Sequence, residues 1–332
     1  MKKIGKIILR ILIGLVCFVI VALGGVKLVD WVAFSAFYTR SEAVCSMPGS
    51  NDGLVQQGFD YVEESQTFLA VGYMTDGTAA RVYVFDENGV KSYTQLLTAD
   101  GKAYTKHTGG ITHYGDYVYV TADDGGLDVF DFSDIMQGAE SVKMLGNVPT
   151  YNIPAHCYVY NGYLFAGSFF IEEDYETPAH ERITTPNGDQ NTSIITVLKL
   201  DDNQAFGVDP TPKAVISTRR CVQGMCITDD GKIVLSTSYG LSPSQLFVYD
   251  TTNLPMTENY TFSDGENIFA GLPLYYLDSA NVVEVIQTPP MAEELVYLDG
   301  KIYILNESAC NKYIFGKFTS GYNLYAYSYE EE

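Results

Sequence analysis

The stretch Gly115-Asp116-Tyr117-Val118-Tyr119-Val120-Thr121 decides the fold. A turn pair feeds an apolar, β-branched and aromatic strand, and the same phrase returns along the chain. Asn161-Gly162 leads into Tyr163-Leu164-Phe165-Ala166-Gly167. Asp230-Gly231 leads into Lys232-Ile233-Val234-Leu235-Ser236, and Asp299-Gly300 into Lys301-Ile302-Tyr303-Ile304-Leu305. Glu64-Ser65-Gln66 before Thr67-Phe68-Leu69-Ala70-Val71 is a degenerate first copy. Asn-Gly and Asp-Gly supply the positive φ that tight hairpins need, so each copy reads as a hairpin.

A third strand follows in each copy and usually closes on Asp: Arg81–Asp86, Leu127–Asp131, Ile195–Asp201, Leu246–Asp250 and, with Ser in that place, Leu324–Ser328. A strand-end Asp is turn chemistry, because its carboxylate accepts nearby backbone N–H groups. The turn glycines 115, 162, 231 and 300 lie 47, 69 and 69 residues apart. Repeats of this size with three or four short strands each are propeller blades. Insertions at Glu172–Asn191 and from Asn253 to about Leu272 account for the longer spacings. Almost no segment beyond the N-terminus has a helical period. The chain ends just after the third strand of the fifth copy. The missing outer strand is therefore expected from residues near Ala43 to Leu54, which closes the ring and protects the sheet edges. The reading is all-β: a five-bladed propeller over residues 41–332, with six blades as the alternative if an insertion hides a copy.

Tyr119-Val120-Thr121 with Val129-Phe130-Asp131 resembles the Tyr-Val-Thr repeat of extracytoplasmic propellers in the lactonase-like group. The chain also resembles secreted bacterial propeller proteins, mostly without assigned activity. The resemblance covers blade-sized pieces of residues 50–328. It implies the fold and carries no catalytic residue. WD40 and kelch signatures are absent.

The N-terminus is of another kind. Lys2, Lys3, Lys6 and Arg10 precede an uncharged run from Ile11 to Val26, and Trp31 reads as an interface anchor. A basic start before such a run marks a transmembrane signal anchor over residues 1–40, with the remainder outside the cytoplasm. Ala22-Leu23-Gly24 is a passable cleavage match, so secretion after cleavage is the alternative. Of the 332 residues, 20 are basic and 41 acidic, a net of −21. Six basic residues and one acid lie in the first 40, which leaves 14 and 40, or −26, for the rest. Such a domain repels anionic polymers, and nucleic acid is excluded as a partner. Five cysteines beyond the apolar run (Cys45, Cys157, Cys221, Cys226 and Cys310) cannot all pair within one chain, and buried free thiols are expected.

The innermost strand of each blade lines the propeller axis. Polar residues stand at the starts of these strands, where an ordinary core strand is apolar. If equivalent positions face one funnel, Gln57, His107, His156, Gln223 and Glu293 or Glu294 converge. Glycine beside them lets the strands crowd the axis. The ends of the second strands add Tyr73, Asp123, Phe169, Tyr239 and Glu307. His107, His156, Glu293 and Glu307 are the candidate catalytic groups, since His and carboxylates around a pocket suit acid–base chemistry. Gln57, Tyr73, Phe169, Gln223, Tyr239 and Glu294 are the candidate ligand contacts, with aromatic walls that suit a sugar ring. No cofactor motif is present, and a divalent metal is the one cofactor such a ring would suit. His180, Glu176 and Asn191 sit in a long insertion that is a candidate lid.

Three functions fit these residues. The first is a membrane-anchored extracytoplasmic propeller binding a small or saccharide-like ligand, or a protein partner, at the channel mouth. The second is a hydrolase or lyase using the His and carboxylate groups, with or without a metal. The third is a structural surface protein. The enzyme reading requires a His within hydrogen-bond reach of a carboxylate or metal in an open pocket. No G-x-S-x-G, H-E-x-x-H or phosphate-binding loop supports it.

Overall fold

Paired positive φ angles shape the tight turns: 48° and 80° at Asn161-Gly162, 50° and 74° at Asp299-Gly300. These values suit a two-residue hairpin whose twist matches that of its strands. Tyr160 accordingly pairs with Tyr163, and Leu298 with Lys301. The computed structural model describes residues 2–313, 316 and 320–329.

The strands form five blades. Blade 1 runs outward from Leu54–Val62 through Thr67–Met74 and Arg81–Asp86 to Gly89–Leu97, with Ser141–Lys143 added parallel at its edge. Blade 2 comprises Ile111–Tyr114, Tyr117–Thr121, Leu127–Asp131 and Gly146–Val148. Blade 3 comprises Pro154–Tyr160, Tyr163–Ser168, Ser193–Leu200 and Val208–Thr218. Blade 4 comprises Val222–Ile227, Ile233–Thr237, Ser244–Tyr249 and Val282–Thr288. Blade 5 has Ala292–Leu298, Lys301–Asn306 and Asn323–Ser328, and its outer strand is Ser41–Ser46 from the other end of the chain. Ser41 pairs with Tyr327 and Ser46 with Asn323, so the ring closes through the N-terminal side as expected, with the strand at Ser41–Ser46 rather than across Ala43 to Leu54, where Leu54 already opens the inner strand of blade 1. The second insertion hides no sixth blade. It is a hairpin, Met256–Ser263 with Ile268–Tyr276, that extends blade 3 through a parallel pairing of Val215 with Leu274.

The strand-end aspartates do what turns need. Asp86, Asp131, Asp201 and Asp250 each accept the backbone N–H two or three residues on, at 2.8–3.0 Å. The core lies between blades: Leu69, Val71 and Val82 of blade 1 pack with Ile111, Val118 and Phe130 of blade 2. At the axis the inner strands touch backbone to backbone. A Cβ on Gly58 would lie 2.6 Å from Gly110, and one on Gly224 2.5 Å from Glu294 Cα. The axis is filled at this level, and two mouths open on opposite ends. The upper mouth lies where inner strands begin, the lower where their hairpins turn.

Ile4–Ala33 is a helix long and apolar enough to cross a membrane, with mean hydropathy 2.9 and its side chains largely exposed. A short helix, Ser35–Thr39, joins it to the sheet. Phe34 and Phe37 are buried there against blades 4 and 5, with Phe37 stacked on Tyr327 at 5.7 Å. All six cysteines are free; Cys157, Cys226 and Cys310 are buried.

Candidate functional site

Strand register decides which of the polar residues share an end. Gln56 pairs with Gly72, Ile111 with Val120, Pro154 with Ser168, Val222 with Thr237 and Ala292 with Asn306. The starts of the inner strands and the ends of the second strands therefore all lie at the upper mouth. Within it, the side chains separate into distinct groups.

The first group joins three blades. Gln57 Nε2 donates to Glu307 Oε2 at 2.7 Å, and Gln57 Oε1 lies 3.0 Å from His107 Nε2. Gln57 can only accept through Oε1, so the His107 proton sits on Nε2 and Nδ1 is an acceptor. The His107 backbone N–H donates to Asp123 Oδ2 at 3.2 Å, and its ring lies 5.0 Å from that of Tyr73. Lys312 Nζ donates to Tyr73 Oη at 2.6 Å, and the ammonium lies 5.1 Å from both the Tyr73 and Tyr313 ring centres. His107 and Lys312 are exposed, Tyr73, Glu307 and Tyr313 half-buried.

The electrostatics follow from crowding. Burial pushes the Glu307 carboxyl up to about 7, against the lowering effect of Gln57, Lys312 and Tyr313. Glu293, buried beside it, is raised well above the usual carboxylate range by burial and then by Glu307 and Glu294. His107 is lowered, chiefly by desolvation and further by Lys312, with Asp123 opposing. At neutral pH this mouth offers a neutral imidazole, a carboxyl poised to give or take a proton, and an ammonium.

The second group holds the other aromatics. Phe169 lies 6.4 Å from the Tyr239 ring and 5.7 Å from that of Tyr175, and Tyr239 donates to the carboxylate of Asp174. The start of the first insertion thus reaches the mouth. Its later part does not act as a lid. Asn191 is buried and donates to Ser217 Oγ and the Leu277 carbonyl at 3.0 Å. Glu176 pairs with Arg182 on the surface, and His180 packs edge-on against Phe262 of the second insertion.

Two of the ring residues turn elsewhere. His156 is sealed from solvent between blades: a Cβ on Gly167 would lie 2.1 Å from its Nε2, and burial lowers its pKa to about 3. It is closed to any ligand in the open mouth. Glu294 is fully buried at the axis, where Oε1 accepts the Met225 N–H at 2.9 Å and the Leu295 and Cys157 N–H groups also face the carboxyl. It is an axial strut, not a mouth residue. Gln223 stands half-buried in the inner strand of blade 4. Among the described residues, no three His, Cys, Asp or Glu side chains gather as a metal-binding set, so the ring does not assemble the ligands a divalent metal needs. Lys312 and Tyr313 join the site without having been singled out in the sequence. They lie in the connection after the second strand of blade 5, at the level of the first insertion in blade 3, in a stretch whose sequence the other blades do not repeat.

No protein-family model matches the chain, and no curated protein matches it. Solved structures do match. Glutaminyl cyclase from Myxococcus xanthus aligns at 10% identity over 80% of this chain and 90% of its own, with TM-score 0.42. A Thermus thermophilus protein described as a glucose dehydrogenase aligns at 13% over 86% and 99%, with TM-score 0.44. The PQQ-bound aldose sugar dehydrogenase of Streptomyces coelicolor aligns at 14% over 80% and 76%, with TM-score 0.38. These are bacterial β-propeller proteins. At such identities and TM-scores no residue role passes across.

Proposed function

We propose that this chain is a membrane-tethered extracytoplasmic propeller that binds a small, saccharide-like ligand at its upper mouth. The observation that supports it best is the Gln57 bridge, which ties His107 of blade 2 to Glu307 of blade 5 beside the ring of Tyr73. The bridge holds donors and acceptors in fixed places next to aromatic faces, the combination a hydroxylated ring ligand requires. The acidity of the domain favours a neutral ligand over an anionic one. The basic start and apolar helix at the N-terminus support tethering. At the upper mouth the hydrolase or lyase reading draws less support, because the imidazole of His107 meets an amide rather than a carboxylate and His156 is closed off. The His–carboxylate pair that lines an open cavity, His113 with Asp60 at 2.6 Å, lies at the opposite mouth and was not among the candidate catalytic groups.

The test is a screen of neutral glycans against the full chain in detergent, followed by calorimetric titration of any hit. Tyr73→Ala and His107→Ala are expected to weaken binding about tenfold each, or about 1.4 kcal/mol, with the melting temperature nearly unchanged. Recovery of the glycan intact separates binding from hydrolysis. A glycan affinity that both substitutions leave untouched, or the absence of any neutral-glycan binding, sinks the proposal.

A further inference from the structure

A cavity of about 420 Å³ lies at the upper level between blades 2 and 3, with the turn of the second-insertion hairpin in its wall. Exposed residues such as Asp124, Ile153 and Glu266 form its rim, and the buried Asn152 and Glu181 form its floor. Three buried polar atoms of its lining have no hydrogen-bond partner: Glu181 Oε1, Asn152 Oδ1 and His180 Nε2. The bonds around them make each an acceptor. Glu181 is 0% exposed; Ser168 donates to its Oε2 and leaves Oε1 bare. Asn152 Nδ2 donates to the Ala166 carbonyl at 3.0 Å, so its bare atom is the amide oxygen. Burial lowers the His180 pKa, with Asp264 opposing, so the ring is neutral and Nε2 accepts when the proton sits on Nδ1. The floor groups stand close together, since Asn152 Nδ2 and Ser168 Oγ lie 3.4 and 3.3 Å from the same Ile194 carbonyl. Burial pushes the Glu181 carboxyl up to about 7, and the groups that lower it, Ser168 and the Ile194 N–H, are neutral. No lysine or arginine lines the cavity among the described residues.

We propose that this cavity binds a small primary amine as its ammonium ion, with N–H groups on Glu181 Oε1, Asn152 Oδ1 and His180 Nε2 and an apolar tail toward Ile153. A buried polar atom without a partner is costly, and a ligand donor removes that cost. All three bare atoms accept, so the fitting ligand donates three times. A hydroxyl donates once and a quaternary ammonium not at all, whereas a primary ammonium has three N–H groups. Its positive charge answers a desolvated carboxylate that has no cation beside it. Among the described residues no three His, Cys, Asp or Glu side chains gather here as a metal-binding set, which favours an organic cation. Ile153, 55% exposed at the rim, offers the tail an apolar face. The cavity shares no residue with the Gln57, His107 and Glu307 group, so it is independent of the glycan reading.

Calorimetric titration of the full chain in detergent with butylamine tests this. Two controls keep the tail: butyltrimethylammonium has the charge without an N–H, and butanol has one O–H without the charge. Butylamine is expected to bind about tenfold or more tightly than either. Glu181→Gln keeps the shape and removes the charge, and is expected to weaken butylamine by about tenfold or more, as loss of a desolvated charge partner does. His180→Phe keeps a ring against Phe262 and removes the accepting nitrogen. It is expected to weaken butylamine severalfold, and it decides the matter should Glu181→Gln fail to fold. Asp299→Asn, on a hairpin turn at the lower end of the propeller, is expected to change nothing. Equal binding of butylamine and either control, full competition by calcium chloride at equal concentration, no binding of butylamine, or unchanged affinity in Glu181→Gln or His180→Phe would overturn the proposal.

Discussion

Glu307→Gln should make the protein more stable at alkaline pH, although it removes a charged residue from the candidate site. Burial raises the Glu307 carboxyl from 4.5 to about 7. A group whose folded pKa is raised adds stability that is fully present below its unfolded pKa and is lost as pH climbs through the folded one. The window is thus 4.5 to about 7. A rise of that size corresponds to about 3 kcal/mol lost across the window. Glutamine has the same shape, can accept from Gln57 Nε2 through its carbonyl oxygen, and does not titrate. The assay is urea unfolding of parent and variant in detergent at about pH 5 and about pH 8, taken as a double difference. The variant should gain about 3 kcal/mol on the parent between the two, or roughly 1 M in midpoint for a slope of about 3 kcal/mol per molar. Glu293 contributes to the gain, since the Glu307 charge helps raise it. Parallel curves for the two proteins, within about 0.5 kcal/mol, would show the carboxylate to be ionised and solvated, and the account of a crowded, dehydrated mouth would fail.

Two further predictions concern the ring itself. Phe37→Ala removes a side chain 2% exposed, stacked on Tyr327 and edge-on to Tyr325, and should cost about 3–5 kcal/mol in the same unfolding assay. A cost under about 1 kcal/mol would mean that the helix preceding the first strand is not part of the packed propeller. Gly72→Ala would put a Cβ 2.0 Å from the carbonyl oxygen of Val55 in the adjacent strand, where no flexible side chain can yield. It should cost about 3 kcal/mol or more and lower the soluble yield, whereas a near-neutral effect on unfolding would refute the close approach of the two strands.

The architecture was legible because turns and strands are local. Asn161-Gly162 and Asp299-Gly300 dictate hairpins whatever surrounds them, and a fifth blade short of its outer strand forces the chain's other end to supply Ser41–Ser46. Which end each polar residue occupies was legible too, since equivalent positions in repeated hairpins share a level. Which way its side chain points was not. Inner strands carry a bulge at or beside the ring position, between Gln56 and Gly58, Pro154 and His156, Val222 and Gly224, and Ala292 and Leu295. A bulge inserts one residue into a two-residue alternation, so the parity that assigns a side chain to channel or interface breaks where the ring lies. His156 went into a blade interface and Glu294 to the axis for this reason, while Gln57 and His107 met at the mouth. The remaining partners come from outside the repeat. Lys312 and Tyr313 lie in a connection whose sequence the other blades do not repeat. Asp60 and His113 stand 53 residues apart as ordinary inner-strand positions, joined only when blades 1 and 2 come together. In a propeller the repeat thus fixes the level of a residue and the irregularity fixes its chemistry, so the bulges and unrepeated connections are where a ligand site must be sought.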